Sequence, residues 1–481
     1  MLRKQLQTRT NDSYFILSAG RKPWSDRLRE ILTKTSGIRH YLPVLTVMMV
    51  AAGAGIQFFG FISDYAVNVL FYDQWDVLDP LFQGKTGLGY LFFYQHGMDR
   101  QGLGLIADSI LYPLTNWNAR AEAFLVGGCI FAAMLLALLL KYRLFGKISY
   151  GDVAIPLIFL TVGQYETFVG SPNVAYSGLP LLLMMLYCHA LLIRQYQLRY
   201  ALCLALNYLL VYSSKGVFMG IVTLLLFGLE CFKRFRRGGE IPGWAPVAGL
   251  LVAGASLGSF FYRYKFETGV DCFVFPYPRL VAYPRFLALM AARFFDLAQP
   301  FRLAEVGGLL LLVCVAAIFA DLGMRLIRGK ALGDVQLIAG ILLTFTALFA
   351  INTAVGRVCL EGDAAQATRY VTLLIPGVLG GYLYLQTIPR EGVRRSLTLV
   401  FVLCLLPGCL IVDEGPGTFA DGKRGWVECY LRTGEIIACE RAVNYLIYPD
   451  PEQTRMREKL AYLKAHRLNL FAPQSNWTTP Q

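Results

Sequence analysis

The chain reads as an all-α polytopic membrane protein, and three observations carry that reading. Hydrophobic residues make up 56% of its 481 positions and charged residues 16%, where a soluble domain carries about 25% charged residues. Several apolar runs reach about 20 residues, enough to cross a hydrocarbon core of about 30 Å. Those runs are continuous in Leu, Val, Ala and Gly and lack the period of two that a membrane barrel requires.

Residues 1–40 are polar and basic and read as a cytoplasmic tail. Apolar runs follow near 42–70, 121–140, 152–168, 177–193, 200–212, 217–232, 244–262, 304–322, 334–353, 370–387 and 396–412. They predict a membrane domain over 41–412 with about eleven spans, the fifth of them short. With the N-terminus inside, the short inside loops are Lys141 to Lys147, Arg194 to Arg199, Lys233 to Arg237, Arg325 to Lys330 and Arg390 to Arg395. Each is basic and nearly free of acid, as the positive-inside rule requires. An odd span count places the tail, 413–481, outside. The net charge of +13 is spread over these loops with no basic domain, which argues against a nucleic-acid partner. The first apolar run is too long for the core of a cleavable signal peptide. Most of the 11 Cys residues lie in apolar runs and act as small hydrophobes. Cys429 and Cys439 are the exception, and an oxidising compartment would let them pair.

The first outside loop, 72–120, opens with Tyr72-Asp73-Gln74-Trp75-Asp76-Val77-Leu78-Asp79. Carboxylates at a membrane surface are costly unless solvated, paired or used. The bland reading makes them interfacial charges beside an aromatic belt of Tyr72 and Trp75. A loop this long is usually functional or carries its own structure. Leu103, Ile106, Ile110 and Leu114 form one helical stripe, which fits either a helix on the membrane surface or one packed into the loop's own core. Glu166 ends the third run, and Arg369-Tyr370 opens the tenth. The outside segment 263–303 holds Arg263, Lys265, Arg279, Arg285, Arg293 and Arg302 and breaks the charge rule. Cations there bind an anion, or form a solvated or headgroup-contacting surface. In the tail, Arg455–Leu468 is amphipathic and reads as part of a small cap on the outer face.

Carboxylates in one outside loop facing cations in another suit glycosyl transfer from a lipid-phosphate sugar. A carboxylate takes the acceptor hydroxyl's proton, and cations stabilise charge on the departing phosphate. The motifs Tyr72-Asp73-Gln74-Trp75-Asp76, Gln95-His96-Gly97-Met98-Asp99-Arg100, Gln164-Tyr165-Glu166 and Thr368-Arg369-Tyr370 together resemble the polytopic GT-C glycosyltransferases of bacteria. So do Leu446-Ile447-Tyr448-Pro449-Asp450-Pro451 and Leu468-Asn469-Leu470-Phe471 in the tail. The resemblance implies a GT-C bundle in the bacterial inner membrane, with its active site on the periplasmic face. It implies an undecaprenyl- or other polyprenyl-phosphate sugar donor and a periplasmic acceptor, either glycan or protein.

On that match Asp73 is the catalytic base and Asp76 the second candidate. His96, Arg100, Glu166, Arg369 and Tyr370 are substrate contacts, and Lys265, Arg279, Arg285 and Arg293 are candidates for the donor phosphate. Met98 and Asp99 stand where the family motif has Glu and His. A divalent metal, Mg or Mn, stays open, and the sequence assigns no cofactor. Two competing readings are an O-antigen polymerase or ligase, which would use the Arg-rich loop, and a lipid-linked sugar flippase. The latter's best feature is Ser213-Ser214-Lys215-Gly216, where Lys215 would equally serve as a phosphate contact.

Overall fold

The computed structural model describes residues 41–237, 242–267, 270–298, 300–410 and 414–473; the tail read as cytoplasmic, 1–40, lies outside them. Helices dominate. Among the described residues the strands are Gln95–His96 and Asp99–Arg100, paired antiparallel with His96 opposite Asp99. Six helical stretches are long and apolar enough to cross a membrane: Leu42–Tyr65, Ala119–Phe145, Ser214–Phe235, Phe301–Ile327, Asp334–Ala365 and the one that starts at Glu391. This is the pattern of a multi-pass membrane protein. Shorter apolar helices, Gly178–Leu191, Tyr196–Val211, Trp244–Phe260 and Val371–Leu385, pack among them.

Local chemistry sets the ends of these helices. The Asn118 side chain accepts from the Arg120 N–H at 2.9 Å and starts Ala119–Phe145, satisfying a donor that the first helical turn leaves open. Gly146, at φ 72°, ends it with a left-handed cap.

The third apolar run differs from the single span expected over 152–168. It is divided into a 3-10 turn Tyr150–Val153, a six-residue helix Ala154–Phe159 and a second 3-10 stretch Val162–Thr167. Its own polar side chains explain the break. Gln164 Nε2 donates to the carbonyls of Phe159 and Thr161 at 2.7 and 3.0 Å, and Thr161 Oγ1 accepts from the Gly163 N–H at 3.2 Å. Backbone groups freed by the break are satisfied locally, so interrupted helix is tolerated where protein surrounds it.

The bundle has two chemically distinct ends. At one, Lys141 pairs with Asp152 at 2.5 Å, Tyr382 donates to Asp152 at 2.6 Å, and Arg325 and Tyr384 both reach Asp321 at 2.6 Å. The basic loops cluster at this end. At the other end the chain builds a second hydrophobic core, separate from that of the bundle. It joins Leu70, Trp75, Leu78, Leu105 and Tyr112 of the first loop to Trp426, Ile447, Met456, Leu460 and Leu463 of the tail. The tail helices Gly415–Thr433, Ile436–Val443 and Met456–Ala465 thus fold onto residues more than 300 positions earlier in the chain.

The helix Gly102–Leu114 has two uses in this core. Leu105, Asp108 and Tyr112 face inward, whereas Ile110 and Leu114 of the predicted stripe are exposed and Leu103 and Ile106 half-buried. It starts at Gly102, at φ 48°, where a Cβ would lie 2.1 Å from the Tyr212 carbonyl oxygen.

Candidate functional site: the Asp73 loop and its cations

The loop that carries Asp73 is held from three directions. Tyr72 takes a left-handed conformation, φ 47°, and its N–H donates to the Ile447 carbonyl of the tail at 3.0 Å. Ser171 Oγ donates to the Phe71 carbonyl at 3.1 Å. From below, buried Gln74 accepts the Phe71 N–H at 3.0 Å and donates to Glu122 at 2.9 Å. Tyr112 adds a second hydrogen bond to Glu122, at 2.5 Å. The backbone on either side of Asp73 is therefore fixed before any ligand arrives.

The three acids of this loop have different surroundings. Asp76 accepts from the hydroxyls of Tyr448 and Thr454 and lies 3.8 Å from the Lys459 ammonium. Asp79 pairs with Lys459 at 3.1 Å and with Arg455 at 2.8 Å. Both are bound to the tail. Asp73 is exposed, and among the described residues its carboxylate has no hydrogen bond or ion pair.

Arg369 lies across from this loop, in the 3-10 turn Thr368–Tyr370. Its charge is felt at Tyr72, whose hydroxyl is otherwise pushed up by burial and by Asp73. The guanidinium sits over the Tyr370 ring at 5.5 Å and 3.8 Å from Glu166. The Glu166 N–H donates to Thr368 Oγ1 at 3.2 Å, so the interrupted third run and the tenth share one wall. Near them Lys215 pairs with Asp99 at 2.9 and 3.0 Å and lies 5.7 Å from the Tyr176 ring. Tyr176 also feels the charges of Arg357, Arg369 and Asp99. Tyr176 is therefore the meeting point of Lys215, Arg357 and Arg369. Among the described residues Arg357 is half-buried and has no hydrogen bond or ion pair.

The other residues expected in the site are placed as follows. His96 lies in the hairpin opposite Asp99. Arg100 is buried, and its guanidinium donates to the carbonyls of Phe93, Phe260 and Tyr262, which makes it a brace between loops. Lys265 and Arg279 are exposed on the segment after Phe260. Arg285 pairs with Glu305 at 2.6 Å, and Arg293 is buried against Asp296 at 3.2 Å. The geometry thus brings Glu166, Arg369 and Tyr370 to the Asp73 side, and leaves Arg285 and Arg293 engaged elsewhere.

Several residues were not singled out by sequence. Arg357 opens the outside segment that runs to Tyr370 and leads into the tenth run, but within that segment the motif pointed to Arg369 and Tyr370 instead. Lys423 is buried, and its ammonium donates to the carbonyls of Val169 and Gly170 at 2.7 and 2.5 Å while lying 4.7 Å from the Phe71 ring. Burial pushes it down to about 7. Two disulfides, Cys272–Cys359 and Cys429–Cys439, lie at this end. The second is the pair that sequence left open. The first joins two Cys residues that stand next to Asp271 and near Glu361, a polar setting unlike that of the bundle cysteines.

Among the described residues no group of three His, Cys, Asp or Glu side chains is arranged to hold a metal ion. Compared with protein-family models, curated proteins and solved structures, the chain has no match.

Proposed function

We propose that this protein is an inverting glycosyltransferase of the bacterial inner membrane. It moves a sugar from a polyprenyl-phosphate donor to a periplasmic glycan or protein acceptor. The observation that carries the reading is the state of Asp73. Among the described residues it is the acid without a hydrogen bond or ion pair in a loop whose neighbouring acids are neutralised, and Tyr72 beside it also feels the charge of Arg369. A carboxylate so placed accepts the proton of an acceptor hydroxyl as that oxygen attacks the anomeric carbon. Arg369, whose contact with Glu166 is long at 3.8 Å, and Arg357 take the phosphate that leaves, and a guanidinium suits that task because it matches phosphate geometry and stays charged; Lys215 is already paired with Asp99. Arg369 and Arg357 replace Arg285 and Arg293, whose charges are already met by Glu305 and Asp296.

Orientation has two supports. The basic loops gather at the end opposite Asp73, which the positive-inside rule assigns to the cytoplasm. Both disulfides lie at the Asp73 end, which suits an oxidising compartment. Counting the shorter helices and the interrupted third run as crossings gives eleven spans and puts the tail and the first loop on the same, periplasmic side.

The test is transfer from a radiolabelled polyprenyl-phosphate sugar by the purified protein. Asp73→Asn is expected to lower transfer by about 10²–10⁴-fold, the range for loss of a general base. Undiminished transfer in that variant removes Asp73 from the role. Movement of the lipid across the bilayer with no sugar transfer by the wild type selects the flippase reading instead.

A further inference from the structure

The segment that leaves the helix Trp244–Phe260 is held tightly along its backbone and yet exposes large apolar side chains. Arg100 donates to the carbonyls of Phe260 and Tyr262 at 3.0 and 2.6 Å. Gln95 clamps Lys265, donating to its carbonyl at 2.6 Å and accepting its N–H at 3.0 Å. The Tyr264 hydroxyl donates to the Met98 carbonyl at 2.7 Å. Farther on, Cys272 is bonded to Cys359, and the Tyr277 N–H donates to the Tyr283 hydroxyl at 2.8 Å. With the backbone anchored on the protein, the side chains point away. Phe266 is 82% exposed, Phe275 65% and Val281 77%, and Tyr262, Val274 and Leu280 are also exposed. Lys265, Arg263 and Arg279 are exposed among them.

Apolar surface on this scale is unfavourable in water, and a patch of this kind marks a surface that something covers. Two observations identify the cover. The patch continues the outward faces of the helices on either side: Leu251 and Val252 before it, Leu310 and Val313 after it, all exposed. In a multi-pass protein those faces meet lipid. The patch also mixes aromatic rings with cations, the combination that sits at headgroup depth, where rings bury their bodies and Lys or Arg reach phosphate.

We propose that residues 261–267 and 270–281 form a lipid-docking surface that rests in the phospholipid headgroup layer beside the site. Phe266 and Phe275 enter the acyl boundary, and Lys265 and Arg279 contact the phosphates of anionic phospholipids. Bilayer phospholipid, in this reading, is the anion that these cations serve. The proposal does not depend on the reaction proposed above.

The experiment places the photocrosslinking residue p-benzoylphenylalanine at Phe266 or at Phe275 in the full chain. The protein is reconstituted in vesicles of phosphatidylcholine and radiolabelled phosphatidylglycerol. Leu399, exposed on the helix Glu391–Leu410, is the lipid-facing control, and buried Leu463 the negative control. Label is expected to pass to the protein at 266 and 275 as it does at 399. Replacing Lys265 and Arg279 by Gln is expected to lower labelling by phosphatidylglycerol relative to labelled phosphatidylcholine, by about fivefold for each cation. Labelling at 399 without labelling at 266 and 275 overturns the proposal. So does crosslinking of those positions to another protein, or a lipid preference that the Gln variants leave unchanged.

Discussion

Asp76 and Asp73 are three residues apart and separate the roles of their loop. Replacing Asp76 by Asn keeps its size but removes the charge that the tail is built around. The new amide places an N–H₂ group beside the donors of Tyr448, Thr454 and Lys459, all of which meet the carboxylate in the native chain. Hydrogen bonds to a charged group contribute about 1.5–3 kcal/mol each. Lys459 keeps Asp79 at 3.1 Å and the Trp75 carbonyl at 2.6 Å, so its charge is not left unpaired. The Asp76 side chain is 25% exposed, which lets water offset part of the loss. We therefore expect Asp76→Asn to cost about 2–4 kcal/mol, with much of it falling on the docking of the tail. Asp73→Asn disturbs no bond among the described residues and is expected to cost no more than about 0.5 kcal/mol, as surface substitutions do. Thermal unfolding in detergent measures both, with limited proteolysis of the tail as a second probe. A drop of about 2–4 °C for Asp76→Asn, with Asp73→Asn near wild type, is the expected result. If Asp76→Asn melts and resists protease like the wild type, the tail is not held by this carboxylate. If Asp73→Asn is the one that melts early, Asp73 is a structural acid and the proposed chemistry loses its base.

Other outcomes follow from single contacts. Burial lowers the folded-state value of Lys423 from 10.5 to about 7, so between those values the folded protein binds fewer protons than the unfolded chain. Stability from this residue therefore rises as pH increases from about 7 toward 10.5, by up to about 1.4 kcal/mol per pH unit, and is lost as pH falls back through 7. Lys423→Met should flatten that rise in melting temperature, and parallel pH profiles for the two proteins would show that Lys423 is not buried this way. Gly102→Ala would place a methyl against the Tyr212 carbonyl at a left-handed backbone position. It is expected to cost about 1–3 kcal/mol in strain, and an unchanged melting temperature would refute that packing. Peptide mapping by mass spectrometry without reductant should recover Cys272 linked to Cys359 and Cys429 linked to Cys439; free thiols at these positions in protein from native membranes would contradict the placement of this end in an oxidising compartment.

Much of the helical scaffold is legible in the sequence, because hydrocarbon thickness and loop charge leave few alternatives. The third apolar run is the instructive departure. Its hydropathy resembles that of its neighbours, but Thr161 and Gln164 hydrogen-bond its own backbone and divide it. That is a matter of side-chain geometry, which a hydropathy pattern does not record. The candidate site was legible in part. Asp73, Glu166 and Arg369 lie in short motifs that sequence singles out, whereas the capture of Asp76 and Asp79 by Lys459 and Arg455 depends on partners some 380 positions away. The arginines of segment 263–303 stand out by count alone. Counting does not reveal that Arg293 is buried against Asp296 or that Arg285 meets Glu305.

The shared core of the first loop and the tail also bears on how the protein is made. Asp76 and Tyr448 are 372 residues apart, and Asn68 and Asn469 are 401 apart. At a synthesis rate of about 5–20 residues per second, the first loop waits roughly 20–75 s for the segment that covers it. During that interval Trp75, Leu78 and Leu81 lack the tail that covers them in the finished fold, and closing so long a loop is an inherently slow step. Burial of the core around the Asp73 loop therefore waits for the tail, and a nascent chain released early would leave an exposed apolar surface for quality-control proteases to find.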